Sequence, residues 1–577
     1  MTAASGRETA QAQLASAWAD FAQGRVAQAE AALRRLAADE PRLGTSLHLL
    51  AAMRWQHDAA NAEIWLRRVL ALDPLNVSAL NALAATLKSS GRPIAALRWL
   101  RMAAAVQPDE PATLANLANM PGAVALSWCR RALLLNPGNV DLILERHAQL
   151  LVRGRAQEAA KLLDSVSDGS DHRLQAARIC TAYLLEDAGP AQFLDLVRSF
   201  DEHFARPLGI GRAPNIHRRR RKLRIGYVAG DSFRLHTAAF TLLPTIEHHD
   251  PETVEVFCYS DVPASRQDSI TERFIAASTG FRHTLGLDDS AFAAAIAADE
   301  IDVVIDSLGY PQGSRLLALA RRPAPLRISW PPMGSIGSDM IDVVFGDRWT
   351  IPDGAERWFD ERVVRLPLSL GYDPLLSTPE PEPRPSGGIT FGSFNQLAKL
   401  SDRTIRLWSR ILASVPDSCL VLKALGLTTE EIAGDLLARF ERHWVDAGRI
   451  ELRLPVAGFE GHLASYADID IALDPTPYGG VITTLEAMWM GVPVVTLAGD
   501  RILGRYGLAL VNAVGAPELG ASDEDGYVAA AVELAADDRR RVAFRRELRG
   551  RMKASLLGNA KALAASVETA IRDLVER

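Results

Sequence analysis

Prolines and glycines recur through the first 205 residues at a spacing that few folds accommodate. Pro41, Pro74, Pro108 and Pro137 stand 33, 34 and 29 residues apart. Gly24 and Gly91 precede Pro41 and Pro108 by seventeen residues, and Gly91 and Gly154 follow Pro74 and Pro137 by the same seventeen. Five residues past Gly24, Gly91 and Gly154 stand Ala29, Ala96 and Ala159. A glycine lets one helix end and its partner begin, a small alanine lets the two approach closely, and a proline ends the pair. Between these marks the chain is rich in Ala, Leu and Arg and nearly free of strand-like runs. The spacing therefore predicts a stack of helix pairs.

A period near 34 with these positions resembles the tetratricopeptide repeat. Two departures are visible: Asp58 stands where a turn glycine belongs, and the 29-residue unit is shortened around Asn119-Met120-Pro121-Gly122. Three to five such pairs make a curved groove suited to a peptide or protein partner, which itself does no chemistry. The stretch 156–205 lacks this punctuation and is expected to cap the stack.

At His217 the composition changes. HRRRRKLRIGYVAGD opens on five basic residues, Arg218 to Lys222, and continues as a buried-type strand from Leu223 to Ala229. The basic run reads as a solvated linker or as a patch for an acidic partner or nucleic acid. Strands and helices then alternate: VEVFCYSD, helix DDSAFAAAIAADE, IDVVIDSLGY, helix SRLLALARRPAP, IDVVFGD. A proline-rich linker, Pro379 to Pro385, precedes a second alternation: GITFGSFN, helix SDRTIRLWSRILASV, SCLVLKALG, IELRLPVAG, DIDIALDP, helix ITTLEAMWMG and VPVVTLAGD. Such alternation predicts parallel sheets covered by helices on both faces. The expected class is α plus α/β: a helical repeat over 1–205, a basic linker at 206–222, an N-terminal α/β lobe at 223–378, a linker at 379–387, and a C-terminal α/β lobe at 388–577. Ligand chemistry belongs in the cleft between two doubly wound lobes, outside the C-terminal ends of their strands.

Composition narrows the partners. Lys plus Arg is 64 against 70 for Asp plus Glu, a net charge of −6, so no global basic field for nucleic acid is expected. The four cysteines (Cys129, Cys180, Cys258, Cys419) form no CxxC pair and no metal-ligand spacing. The first thirty residues lack a basic start followed by an apolar run, and charge interrupts every apolar stretch before about 18 residues. Neither a signal peptide nor a membrane span is expected, and the expected location is cytoplasmic.

The motifs of the two lobes, in order, resemble the O-linked N-acetylglucosamine transferases and their plant SPINDLY relatives, tetratricopeptide proteins with a two-lobed GT-B catalytic region. The segments that carry the resemblance are LRIGYVAGDSFRLH (223–236), EVFCYSD (255–261), RRPAPLRISW (321–330), FGSFNQLAKLSDRT (391–404), LPVAGFEGHLASYADIDIALDPTPYGG (454–480) and ITTLEAMWMGVPVVTLAGD (482–500). The resemblance implies that Gln396 and Lys399 meet the diphosphate, with Lys399 neutralising charge on the departing UDP. It implies that His462 and the Ala457 backbone meet the uracil. Thr483 and Thr484 open a helix whose N-terminus receives a phosphate, and Glu486 accepts from the ribose hydroxyls. His236 faces the cleft to orient the acceptor, contact a phosphate or act as a base. The reaction implied is an inverting, metal-independent displacement by a Ser or Thr hydroxyl of a protein acceptor, such as a flagellin or another surface protein. No cofactor beyond the nucleotide-sugar donor is implied. Asp468-Ile469-Asp470 mimics the DxD of metal-dependent transferases, but its place at the start of a strand favours a structural role.

Three departures fall on the sugar side. Relatives read W-L-G-Y-P-G-T where this chain has Trp330-Pro331-Pro332-Met333-Gly334-Ser335-Ile336. The phosphate helix opens Val481-Ile482-Thr483-Thr484, with one hydroxyl replaced by an apolar side chain, and His236 is followed by Thr237 instead of proline after a run one residue longer. The donor is therefore a UDP-linked, N-acetylglucosamine-like sugar by resemblance, with its sugar left open by these changes. The alternative from another class is a non-catalytic scaffold or nucleotide-sugar sensor. Retention of Gln396, Lys399 and His462 together weighs against it.

Overall fold

Local sequence chemistry sets the helix boundaries of the repeat. The computed structural model describes residues 3–576 apart from 23–24, 41–42, 55–57, 119, 121–123, 167–168, 210–221, 383 and 385–386. Gly24, Pro41, Asn119, Pro121, Gly122, the basic residues Arg218 to Arg221, Pro383 and Pro385 lie outside the described residues. Helices pair as Ala3–Ala22 with Val26–Asp39, Gly44–Arg54 with Ala59–Leu72, Val77–Ser89 with Pro93–Val106, and Pro111–Ala118 with Val124–Leu135. Gly91 takes φ +74° in the turn between two of them, a left-handed conformation that favours glycine. Ala29 and Ala96 are fully buried, as close helix approach requires. Asp58 replaces the turn glycine by a different device: its carboxylate caps the next helix, accepting the Asn61 N–H at 3.2 Å. The shortened unit appears as the eight-residue helix Pro111–Ala118.

Contacts divide the chain into two compact units, 1–149 and 150–577. The helices Ala156–Asp164, His172–Ala182 and Pro190–Phe200 therefore go with the lobes, and not with the repeat that the sequence extends to 205. The reason lies in their apolar faces: Ile179, Tyr183, Phe193, Val197 and Phe200 share one core with residues of both sheets. At Gly154, φ +74°, an added Cβ would fall 2.9 Å from the Leu397 carbonyl, so the backbones meet where only glycine leaves room.

The first lobe contains β1 (Leu223–Val228), β2 (Val254–Ser260), β3 (Gly280–His283), β4 (Val303–Asp306), β5 (Leu326–Ser329), β6 (Val343–Gly346) and β7 (Arg362–Arg365). The second contains β8 (Thr390–Ser393), β9 (Cys419–Lys423), β10 (Ile450–Arg453), β11 (Ile471–Leu473), β12 (Val494–Leu497) and β13 (Gly520–Ala521). The sheet orders are β3-β2-β1-β4-β5-β6-β7 and β10-β9-β8-β11-β12-β13, with every neighbouring pair parallel. Both contain the 3-2-1-4-5-6 doubly wound order, which reverses between β1 and β4 and between β8 and β11. Central strands such as VVID, TFGS and VVTL are buried throughout, as two-sided helix cover demands.

Two sequence expectations change. The helix expected over SRLLALARRPAP shrinks to Leu316–Leu319, because Arg322 turns to φ 54° ahead of Pro323 and the chain enters β5. The lobe expected over 388–577 loses its last helix, Ala560–Glu576, whose Leu563, Val567 and Ile571 enter the core of the first sheet. A buried relay clasps that helix. Glu568 accepts the Asp250 N–H at 2.9 Å and lies 2.9 Å from His249 Nδ1, while the Tyr227 hydroxyl lies 2.7 Å from His249 Nε2. Glu568→Ala strips the buried imidazole and the Asp250 N–H of their acceptor. The expected cost is about 3 kcal/mol in first-lobe stability, measured as a lowered thermal midpoint, with Glu568→Gln milder.

Candidate active site

The polar side chains of the second lobe converge at its switch point. Beyond β8 the chain passes Asn395 and Gln396 into a single turn, Leu397–Lys399, ahead of the helix Asp402–Ser414. Ser401 caps that helix and donates its hydroxyl to the Thr476 carbonyl at 2.6 Å, tying this turn to the segment after β11. Beyond β11 the chain runs from Asp474 through Gly479-Gly480 into the helix Ile482–Trp489. No side chain caps that helix, and its first-turn N–H groups have no intrahelical acceptor. A small cavity lies here, lined by Ser393, Asn395, Tyr466, Asp474, Thr483 and Thr484 among others.

Lys399 is half-buried at this junction. Its Nζ donates to the Gly479 carbonyl at 2.9 Å and to Asn395 Oδ1 at 3.5 Å, and lies 3.9 Å from the Tyr478 ring centroid. Burial pulls its pKa down to about 8, against an upward pull from the Asp474 charge. Asn395 Oδ1 also accepts the Thr483 hydroxyl at 3.1 Å, and Asp474 Oδ1 accepts the Thr484 hydroxyl at 2.8 Å. Burial pushes the Asp474 carboxyl up to about 6. Lys399, Thr483 and Thr484 are thus brought together around a helix N-terminus, the arrangement that receives a phosphate.

His462 lies on the short helix Phe459–Ala464. Its Nε2 is 3.0 Å from Glu486 Oε2, and the Tyr466 hydroxyl donates to the same oxygen at 3.4 Å. Glu486 is buried, and its carboxylate orients the imidazole. Lys423, at the end of β9, supports the pair: Nζ donates to the His462 carbonyl at 3.1 Å and sits 4.0 Å from the Phe394 ring centroid. Burial lowers its pKa to about 8 despite the nearby Glu486 charge. Gln396 and Ala457 stand exposed at the rim, outside this hydrogen-bonded cluster.

His236 belongs to the loop after β1, in the other lobe. The Ala238 N–H donates to its Nδ1 at 3.3 Å, which leaves the proton of the neutral ring on Nε2. Burial lowers the His236 pKa, the Arg234 and Arg266 charges add to this, and Asp231 opposes it. The helix that follows, Ala239–Glu247, stacks Phe240 on Phe459 with ring centroids 5.0 Å apart. The His236 loop and the His462 helix are therefore joined across the lobe boundary.

The DxD look-alike is engaged structurally. Asp468 pairs with Arg453, and Asp470 takes Arg384 and the Thr390 N–H. Asn395, Lys423, Tyr466 and Asp474 are participants that motif reading overlooked. A signal for two of them exists: IALD and LVLK each close a buried apolar strand on one charged residue at the sheet edge where ligands bind.

The description of glycosyl transferase family 41 matches residues 211–372 and 370–567, both lobes in turn. The chain belongs to glycosyl transferase family 41. Its curated relatives include the probable UDP-N-acetylglucosamine–peptide N-acetylglucosaminyltransferase SPINDLY of Solanum lycopersicum, 32% identical over 370 residues, which cover 62% of this chain and 39% of that protein. The UDP-N-acetylglucosamine–peptide N-acetylglucosaminyltransferase of Caenorhabditis elegans is 22% identical over 457 residues, 57% of this chain and 39% of the relative. The chain thus spans about two fifths of the length of these relatives. A solved structure of a mutant O-GlcNAc transferase from Thermobaculum terrenum superposes with a TM-score of 0.65 at 28% identity, covering 100% of this chain and 98% of that one. The family 41 fold of helical repeat and two parallel-sheet lobes therefore extends over the whole chain. No helix among the described residues is long and apolar enough to cross a membrane.

Proposed function

We propose that this family 41 chain transfers a sugar from a UDP-linked donor to Ser or Thr hydroxyls of a protein acceptor. The observation that carries the reading is the Lys399 ammonium, held by Gly479 and Asn395 beside the uncapped helix N-terminus. The acceptor hydroxyl oxygen bonds to the anomeric carbon as the bond from that carbon to the diphosphate breaks, the hydroxyl proton passes to a diphosphate oxygen of the departing UDP, and the charge released on UDP falls between Lys399 and the helix N–H groups. His462, steered by Glu486, flanks the base together with the Ala457 backbone, and Gln396 meets the diphosphate from the rim. His236 presents its Nε2–H across the cleft as a donor that orients the acceptor or a phosphate oxygen. The helical repeat selects the acceptor, for which an exported surface protein such as flagellin is the class to try first, and the reaction runs in the cytoplasm without a metal or further cofactor. Incubation of the purified protein with radiolabelled UDP-N-acetylglucosamine and a peptide library tests this, and transfer that Lys399→Ala leaves unchanged would overturn it.

The lowered Lys399 pKa gives the activity an alkaline limit. The ammonium is lost as pH rises through about 8, so kcat/KM for the donor falls there, and bound diphosphate moves the corresponding limb of kcat upward. Stability follows the opposite course. Lys399 and Lys423 titrate near 8 when folded, below the ordinary lysine value, so the cost of burying their charge is full below that pH and is relieved above it. A pH–rate profile beside a pH–Tm profile should therefore show activity falling above pH 8 with no parallel loss of fold from these lysines.

A further inference from the structure

The segment Trp330 to Ile336, one of the places where this chain departs from the motifs of its relatives, is held at several points. Buried Glu361 clamps it, accepting the Ser335 hydroxyl at 2.8 Å, the Ile336 N–H at 2.5 Å and the Gly337 N–H at 2.7 Å. The Tyr506 hydroxyl donates to the Pro332 carbonyl at 2.8 Å, locking the loop to the second lobe. At Gly334 an added Cβ would fall 2.8 Å from the Phe193 ring, so the loop is pressed against the helix Pro190–Phe200. Held in this way, it forms one wall of a pocket lined by Tyr183, Phe193, Met333, Trp358, Arg501 and Arg505 among others. The pocket holds about 440 Å³ of empty space, part of it open to solvent.

Its walls have two chemistries. Tyr183 and Phe193 pack with ring centroids 4.8 Å apart, and Trp358 adds a half-exposed indole. The two arginines are engaged differently. Arg501 spends both terminal nitrogens on the Ala182 and Leu185 carbonyls and its Nε on Asp500 at 3.4 Å. Arg505 donates Nε to the Trp349 carbonyl at 2.7 Å and Nη1 to the Gly499 carbonyl at 2.8 Å, and its Nη2 has no partner among the described residues. One charged donor without a hydrogen-bond partner thus lines the same pocket as the aromatic rings, with the Asp347 and Asp500 charges nearby.

The pocket adjoins the transfer site through a backbone contact. Gly479, whose carbonyl holds Lys399, donates its N–H at 3.1 Å to the carbonyl of Leu503, next in the chain to pocket-lining Ile502. We propose that the pocket is an acceptor subsite that takes an aromatic side chain of the acceptor, with a neighbouring acidic group paired to Arg505. This rests on the protein-acceptor reading above.

The test uses fluorescein-labelled nonapeptides with a central threonine, an aspartate in the flank, and either Phe or Ala placed at each flanking position in turn. With full-length protein and radiolabelled UDP-N-acetylglucosamine, Phe should raise kcat/KM over Ala at least tenfold at one position within four of the threonine. Trp358→Ala and Arg505→Gln should each erase that preference while UDP affinity, measured by titration, stays within twofold. No discrimination at any position, or a preference that survives in both variants, overturns the subsite. Peptide binding is read separately by fluorescence anisotropy in the presence of UDP. If no peptide is glycosylated from UDP-N-acetylglucosamine or from a panel of other UDP-linked sugars, but the Phe peptide still binds tighter and loses that advantage in both variants, the subsite stands and the transfer reading falls. Equal binding of the Phe and Ala peptides overturns the subsite whatever the transfer result.

Discussion

Lys399→Ala is expected to cut sugar transfer by about 10²–10³-fold while weakening UDP binding by only about tenfold. The split follows from what the ammonium faces at each stage. In the resting site it is satisfied by the Gly479 carbonyl, Asn395 and the Tyr478 ring, and the bound diphosphate has the helix N-terminus as a second anchor. Charge grows on the leaving diphosphate only as the sugar departs, and there the half-buried lysine is worth most because little water competes with it. Steady-state rates and direct titration of UDP on the same preparation separate the two effects. Equal losses in both would make Lys399 a binding residue only.

Gly480→Ala is expected to lower UDP affinity by about ten- to a hundredfold without unfolding the protein. A Cβ at this position would stand 2.4 Å from Thr484 Oγ1, 2.7 Å from Thr483 Oγ1 and 2.8 Å from Asp474 Oδ1. None of these is the loose end of a long side chain. Thr484 is bonded to Asp474 and Thr483 to Asn395, so making room breaks at least one bond of about 1 kcal/mol and tilts the start of the phosphate helix. The damage is confined to the turn between β11 and that helix, so the thermal midpoint should fall by only a few degrees. UDP titration checks the first part and calorimetry the second.

Much of this was legible in the chain, and what escaped did so for physical reasons. The glycine and proline spacing marks the helix pairs because backbone conformation is written into those two residue types, as the left-handed turn at Gly91 illustrates. Central strands show as apolar runs because parallel sheets are covered on both faces. The edge strands β3 and β7 are half-exposed and carry mixed residues, and the edge strand β13 is only two residues long, so no period marks them. The assignment of Ala560–Glu576 to the first lobe is also hidden, since an amphipathic helix shows that one face is buried but not against which sheet. In the site, Lys399, His462 and Thr483 follow from motifs, whereas Asp474 and Lys423 act through partners distant in sequence. The altered Trp330 to Ile336 loop reads from sequence only as a departure on the sugar side. Folded, it is a wall fixed by Glu361, a residue 25 positions downstream of Ile336 that no local pattern connects to it.

The most direct test of the account is a calorimetric titration of UDP into the full-length protein, with CMP and GDP as comparators, repeated on Gly480→Ala and His462→Ala. Saturable one-to-one binding of UDP, favoured over both comparators and weakened at least tenfold in each variant, is the predicted result. No saturable UDP binding up to millimolar concentration, or binding that both variants leave intact, would contradict it and favour a scaffold whose lobes have kept the family 41 fold without its nucleotide site.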